Sequence, residues 1–324
     1  MSAHPDDAPG TPDTPDGPAP LADAGDLGPA REHAEDLAAF VTASPSSFHA
    51  AAETARRLRA AGFVEQHEVE AWDAAPGGHV MVRDGAVMAW WGPEDARAGG
   101  AARGAAGAPG AAAAAEAPEV RIVGGHTDSP TFKLKPHPSY TTEGWAQAAV
   151  EVYGGMLSAS WFDRELGLAG LLVTADGRRH LTRTGAVMRV PRLAVHLDRE
   201  SGSKESHDRQ QHTVPVLGTG VVDVLGLLAA SVQSGDDEVR AVDVVGHDVV
   251  AYDTQAPQIF GAGGELLASG RLDNLSSVHA ALTAFERLAA GERDGDRAAA
   301  GVRDGAPGGR VVRVLAAFDH EEVG

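Results

Sequence analysis

With 324 residues, 43% of them hydrophobic, the chain has material for two domains rather than one. Its 27 basic and 46 acidic side chains leave a net charge of -19, a field that repels polyanions and excludes nucleic acid as a natural partner. Cysteine is absent, which excludes disulfides, zinc–thiolate sites and cysteine nucleophiles and leaves any metal to His and carboxylate.

Residues 1–34 are acidic and rich in Pro, Gly and Ala; too little apolar surface is available there to offset ordering, so a disordered tail is expected. No basic region followed by an apolar one opens the chain, and no apolar run approaches the ~18 residues of a membrane span, so no membrane partner and a cytoplasmic location are expected. Glu35–Thr42 reads as a short amphipathic helix broken at Ser44-Pro45. Ser47–Ala61 reads as a second, with Phe48, Ala51, Ala55 and Leu58 at three- and four-residue steps before Gly62. Strands are predicted at His79–Val82 and Ala86–Trp91, and a buried-type strand at Val120–Val123 that places His126 just past its end. Further strands are expected at Val187–Leu197, Asp243–Tyr252 and Val311–Phe318, and helices at Val221–Ser234 and Leu275–Leu288. Two Gly-rich stretches, Gly92–Pro118 and Gly291–Gly309, read as surface loops. Helices interleaved with buried strands predict an α/β sheet, whose ligand sites lie at the carboxyl ends of strands.

Three short motifs fall at strand ends or helix starts. In His126-Thr127-Asp128, residues two apart in extended chain share a side, so Asp128 can orient the His126 ring for a metal, or simply cap the following turn. Asp273-Asn274 opens a helix, where the carboxylate can bridge two cations or serve as an ordinary N-cap. Glu321-Glu322 follows the last strand. Two adjacent carboxylates serve one site only where the backbone turns, which Gly324 permits; otherwise they are a solvated strand end. All three offer oxygen or imidazole donors, and jointly they point to a metal site. Tyr153 and Trp161-Phe162 read as core or interface aromatics, the run 261–264 as a turn, and His207 and His212 as exposed loop residues. A serine nucleophile has no G-x-S-x-G support.

The runs GGHTDSPTFKLKP (124–136), VEVYGG (150–155), SWFDRELGLAG (160–170), LAVHLDR (193–199), GRLDN (270–274) and FDHEEVG (318–324), with the segment around Phe40 and Ser44–His49, occur in the order in which the aspartyl aminopeptidase family of metallopeptidases carries them. The chain resembles that family from about Asp36 to Gly324. The resemblance implies a zinc-aminopeptidase mixed sheet with flanking helices (phosphorylase/hydrolase-like), interrupted by a mainly β dimerisation domain at 137–255, the catalytic domain occupying 35–136 and 256–324. It implies two zinc ions per full-length subunit and release of N-terminal Asp or Glu from peptides. His126 would ligate one metal, Asp273 bridge both, Glu322 ligate the other, Glu321 act as general base and Asp128 orient His126. His196 would reach a neighbouring subunit's active site, within dimers built into dodecamers. A cis bond is expected between Asp273 and Asn274. Family members continue past the Glu pair and bring a further ligating Asp, a final His and pocket residues, so the activity is expected of the longer protein and this chain alone is expected to be inactive. The alternatives are an aminopeptidase preferring neutral N-terminal residues, and a catalytically silent assembly component.

Overall fold

The computed structural model describes residues 28–73, 75–92, 118–197, 208–233, 239–291 and 311–324. Most of the expected tail, most of the two Gly-rich loops and His207 lie outside them. The first element, helix α1 (Gly28–Ala43), begins earlier than expected, so residues 28–34 are helix rather than tail. Leu37, Phe40 and Val41 dock α1 on the core, and tertiary packing sustains turns that composition alone would not. Pro45 disfavours helical backbone at Ser44 and ends it. Helix α2 (Ser47–Ala60) restarts with Ser46 as N-cap, accepting from the His49 amide, and buries Phe48, Ala51, Ala55 and Leu58 as their spacing predicts.

Strands β1 (Val64–Glu65), β2 (Gly77–Arg83), β3 (Ala86–Gly92) and β4 (Glu119–His126) follow. An Asp84-Gly85 turn joins β2 to β3, with Asp84 in the left-handed region at φ 55, the usual chemistry of a two-residue hairpin. The chain then builds a separate sheet from β5 (Thr131–Thr142), β6 (Trp145–Tyr153), β7 (Leu166–Thr174), β8 (Arg179–Arg183), β9 (Val216–Thr219) and, after helix α3 (Val224–Ala229), β10 (Val244–Asp253). A small hairpin, β11 (Gln258–Phe260) and β12 (Leu266–Ala268), leads to helix α4 (Leu272–Ala289) and strand β13 (Val311–Phe318).

The first sheet has the order β1-β2-β3-β13-β4 and is mixed: β13 runs antiparallel to β3 and parallel to β4. Residues from α1, α2 and α4 close one core with Val80, Val87, Ala89 and Leu315 of this sheet. The second sheet, β8-β7-β10-β5-β6-β9, is antiparallel at each of its pairings. Leu166, Leu168, Leu172 and Val249 form its own core with Val224 and Leu228 of α3. The change of sheet falls between His126 and Thr131; the boundary expected at 137 lies inside β5, where the register slips between Leu134 and Ser139 around two prolines that cannot donate to a ladder.

Three local expectations change. The run Val120–Val123 is not buried: Val120, Ile122 and Val123 are about half exposed, because β4 ends the sheet and, among the described residues, pairs on one side with β13. The strand expected at Val187–Leu197 is reduced to isolated bridges at Met188, Arg189 and Val190, and residues 195–197 form an exposed turn. Helix α3 is shorter than 221–234, since Val232 leaves it to pair with Thr182.

His49 joins the two halves. It is buried, with Ser46 Oγ at 2.8 Å from Nδ1 and Gln233 Oε1 at 3.0 Å from Nε2. The amide oxygen only accepts, so Nε2–H donates to it and Nδ1 accepts from the Ser46 hydroxyl, an arrangement made for neutral imidazole. Burial lowers the His49 pKa to about 4 against the pull of the Gln233 bond, with Arg183 adding to the fall. A depressed His pKa stabilises the fold fully above the unfolded value of about 6.5, and that stability is lost as pH falls from there through about 4, on the order of 3 kcal/mol. Urea unfolding at pH 7 and pH 4 is expected to show His49→Gln losing less stability on acidification than the wild type. Equal losses would exclude His49 as the acid-sensitive group.

Candidate metal centre

Parallel pairing sets Phe318 of β13 beside His126 of the edge strand β4, so the two neighbouring strands end together. Thr127 locks the ends: its amide donates to Phe318 O at 2.8 Å and its hydroxyl to Gly85 O at 2.6 Å. Beyond Phe318 the backbone turns at His320, left-handed at φ 70, into a short 3-10 turn at Glu321–Val323. His320, rather than the expected Gly324, thus supplies the reversal that brings the Glu pair back over the strand end. From the other side, α4 presents Asp273. Asp273 and Asn274 depart from helical angles, and the peptide bond between them is cis, as expected. Asn274 Oδ1 accepts from the His126 amide at 3.3 Å, and the Ser129 hydroxyl donates to Asp273 O at 2.9 Å. Gly125 is required here, since a Cβ would stand 2.8 Å from Asn274 Oδ1.

The predicted residues His126, Asp128, Asp273, Glu321 and Glu322 therefore converge. His126 Nε2 lies 3.3 Å from Asp273 Oδ1 and 3.6 Å from Glu321 Oε2, and donor atoms of His126, Glu321 and Glu322 lie within 4.8 Å of one another. Ligands about 2.0–2.1 Å from one zinc are at most about 4 Å apart, so small side-chain rotations close the set on an ion. The donors are imidazole and carboxylate, a set that suits zinc. Glu321 stands in the same cluster with His126 as the expected ligand Glu322, so distance alone gives the two glutamates no different roles.

Asp128 is buried beneath this cluster. Its carboxylate lies 3.3 Å from His126 Nδ1 and its backbone oxygen 3.1 Å from the same nitrogen. The amides of Glu321 and Glu322 donate to the carboxylate at 3.3 and 3.1 Å, and the Tyr153 hydroxyl at 2.9 Å. Sequence reasoning placed Tyr153 in a core and missed this bond; the VEVYGG run was the available signal. Burial, then the bond to Asp128 and nearby negative charge, hold the Tyr153 pKa well above its ordinary value, so it remains a donor. Burial, followed by the charge of Asp128, raises the Glu322 pKa. His196 is not part of this cluster; it sits in the exposed turn at 195–197.

A cavity of ≈ 460 Å³ opens between the two sheets, lined by Ser47, Asp128, Lys133, Tyr153, Arg271 and Asp273 among others. Lys133 pairs with Asp248 at 2.8 Å. Arg271 donates to Val41 O and lies over the Tyr252 ring, while its buried Nε has no hydrogen-bond partner; burial lowers its pKa to about 10.

A mixed α/β sheet with imidazole and carboxylate donors gathered where its last two strands end and a helix begins defines a protein of the zinc-aminopeptidase fold. The chain belongs to the M18 family: the family described as aminopeptidase I zinc metalloprotease (M18) matches residues 40–324. It is 41% identical over 296 residues to a probable M18 family aminopeptidase 2 of Streptomyces avermitilis, covering 91% of this chain and 61% of the relative. To the protein of the same description in Mycobacterium tuberculosis it is 36% identical over 301 residues, covering 90% and 61%. The chain thus spans about three fifths of the length of these curated relatives. Among solved structures, Ape4 in its cryo-EM complex with Nbr1 superposes with a TM-score of 0.74 at 28% identity, covering 91% of this chain and 56% of that one. The S. cerevisiae mApe1 dodecamer gives 0.67 at 22% identity over 91% and 62%, a likeness of fold. Among the described residues, no helix is long and apolar enough to cross a membrane.

Proposed function

We propose that this chain carries most of the metal centre of a zinc aminopeptidase that hydrolyses the first peptide bond of acidic-ended peptides, the complete activity belonging to a polypeptide of its relatives' length. The observation that carries the reading is the convergence of His126, Asp273, Glu321 and Glu322 at the joint end of β4 and β13. In this reading His126, Asp273 and Glu322 hold zinc, with Asp273 shared between two ions. Bound zinc supplies Lewis acidity toward the scissile carbonyl and toward water at neutral pH. Glu321, the more open of the two glutamates, accepts the water proton and returns it to the departing amine. Asp128 keeps His126 oriented, and the cavity beside Asp273 receives the N-terminal residue.

Support for an acidic first residue is the family resemblance together with Arg271, a half-buried cavity-lining cation whose buried Nε has no hydrogen-bond partner. Support for self-association is the dodecameric mApe1 neighbour; His196, exposed on its turn, is proposed to serve an adjoining subunit in such an assembly. The test is hydrolysis by the full-length protein of peptides that differ only in an N-terminal Asp, Glu or Leu. Asp and Glu substrates are expected to be cut faster by a factor of about 10 or more, the discrimination a buried charged contact gives. Faster cleavage of Leu would move the assignment to a neutral aminopeptidase, and no zinc-dependent cleavage of any would leave only the assembly role.

A further inference from the structure

Strand β6 belongs to the second sheet, yet its last residue and the two glycines that follow lie against the metal centre of the first. The Tyr153 side chain is buried and its hydroxyl has two partners: Asp128 Oδ2 at 2.9 Å and His320 Nδ1 at 3.2 Å. A phenol has one proton. Asp128 is a carboxylate already receiving two backbone amides, so Tyr153 donates to it, and His320 Nδ1–H donates to the phenol oxygen. Asp128 in turn faces His126 Nδ1 with both its carboxylate and its backbone oxygen. Those acceptors hold the proton on Nδ1 and leave Nε2 bare, directed at Asp273 and Glu321. The neighbouring residue completes the contact: Gly154 is left-handed at φ 73, and a Cβ on it would stand 2.9 Å from both Cβ and Oε2 of Glu322. The backbone of Gly155 favours the charged form of the Glu322 carboxylate, partly offsetting its burial.

We infer that Tyr153-Gly154-Gly155 is a positioning segment through which the second sheet sets the metal centre, Tyr153 selecting the His126 tautomer by way of Asp128 and the glycine pair seating Glu322. The inference rests on the zinc reading given above. It assigns a role to the insert that is independent of assembly: the catalytic side chains stand on one sheet, and their orientation is held from the other. Tyr153 reaches the ligand through Asp128, so its loss weakens the metal site without removing a donor. Gly154 acts at the opposite carboxylate and does not touch His126.

The experiment reads tautomer and affinity separately. Side-chain ¹⁵N NMR of the metal-free chain, with the His126 signals assigned by their loss in His126→Gln, is expected to show His126 as the Nδ1–H tautomer. Tyr153→Phe is expected to raise the Nε2–H fraction and to weaken zinc binding about 10-fold in competition with a chromophoric chelator. Gly154→Ala is expected to weaken zinc with the His126 tautomer unchanged. General loss of structure would disturb both readouts in both variants, so the split between them marks positioning. An Nε2–H tautomer in the wild type overturns the inference even where a variant fails to fold, and so does a Tyr153→Phe chain with wild-type tautomer and affinity. A wild-type protein of its relatives' length that takes up no zinc defeats the zinc reading, while the tautomer and its response to Tyr153→Phe still decide the relay.

Discussion

Replacing Asp273 by Ala is expected to abolish zinc binding at wild-type affinity, with a fall of at least about 100-fold, the upper end of what loss of an outer-shell partner costs. Asp273 is the residue whose carboxylate comes nearest His126 Nε2, at 3.3 Å, and in the proposed arrangement it is shared between two ions. Without it each ion in the full-length protein keeps only two of the three protein ligands that catalytic zinc usually takes. The substitution is also clean. The Asp273 side chain is 80% exposed, so its removal leaves no cavity and its cost to folding stays within about 0.5 kcal/mol. The contacts that hold the loop, Ser129 to Asp273 O and Asn274 Oδ1 to the His126 amide, survive. Zinc content after dialysis, set beside the urea midpoint of the metal-free chain, checks this: retention of either metal at full occupancy would exclude bridging by Asp273.

The second large effect is a split within the Glu pair. Glu321→Gln is expected to keep zinc near wild-type content and to lower turnover of the full-length protein by a factor of roughly 100 or more, because an amide has no basic site for the proton that a general base carries. Glu322→Ala is expected to lose zinc. The local structure motivates the assignment: the Glu321 side chain is 61% exposed and free to reach water, whereas Glu322 is half-buried and packed against Gly154. A ligand profits from a fixed seat and a base from access to substrate. Zinc analysis and steady-state rates on the two variants would give the reverse pattern if the roles were exchanged.

The elements nearest the site were the most legible. Strand β13 and helix α4 appear where an apolar run and a helical repeat after GRLDN placed them, because both patterns persist for at least two turns or several residues without a competing signal. Short elements were less so: Val187–Leu197 has strand composition but turns outward at 195–197, since no neighbouring strand beyond Val190 offers it partners in the described residues. Of the site, His126, Asp128, Asp273 and the Glu pair could be read because metal ligands must be His or carboxylate in a chain without cysteine. Tyr153 and Gly154 could not, because the hydroxyl that reaches Asp128 is chemically the same as one that caps a core.

Sequence alone determined the donor types, their order and their places at strand ends and a helix start, together with the α/β class, for these depend on residue chemistry and on periodicities that act over a few positions. Tertiary structure decided the rest. The parallel register that puts Phe318 beside His126, the left-handed His320 that swings both glutamates inward and the approach of β6 from another sheet are long-range events. They depend on how separate segments bury their apolar faces against one another, and no local pattern encodes which pairs of surfaces meet.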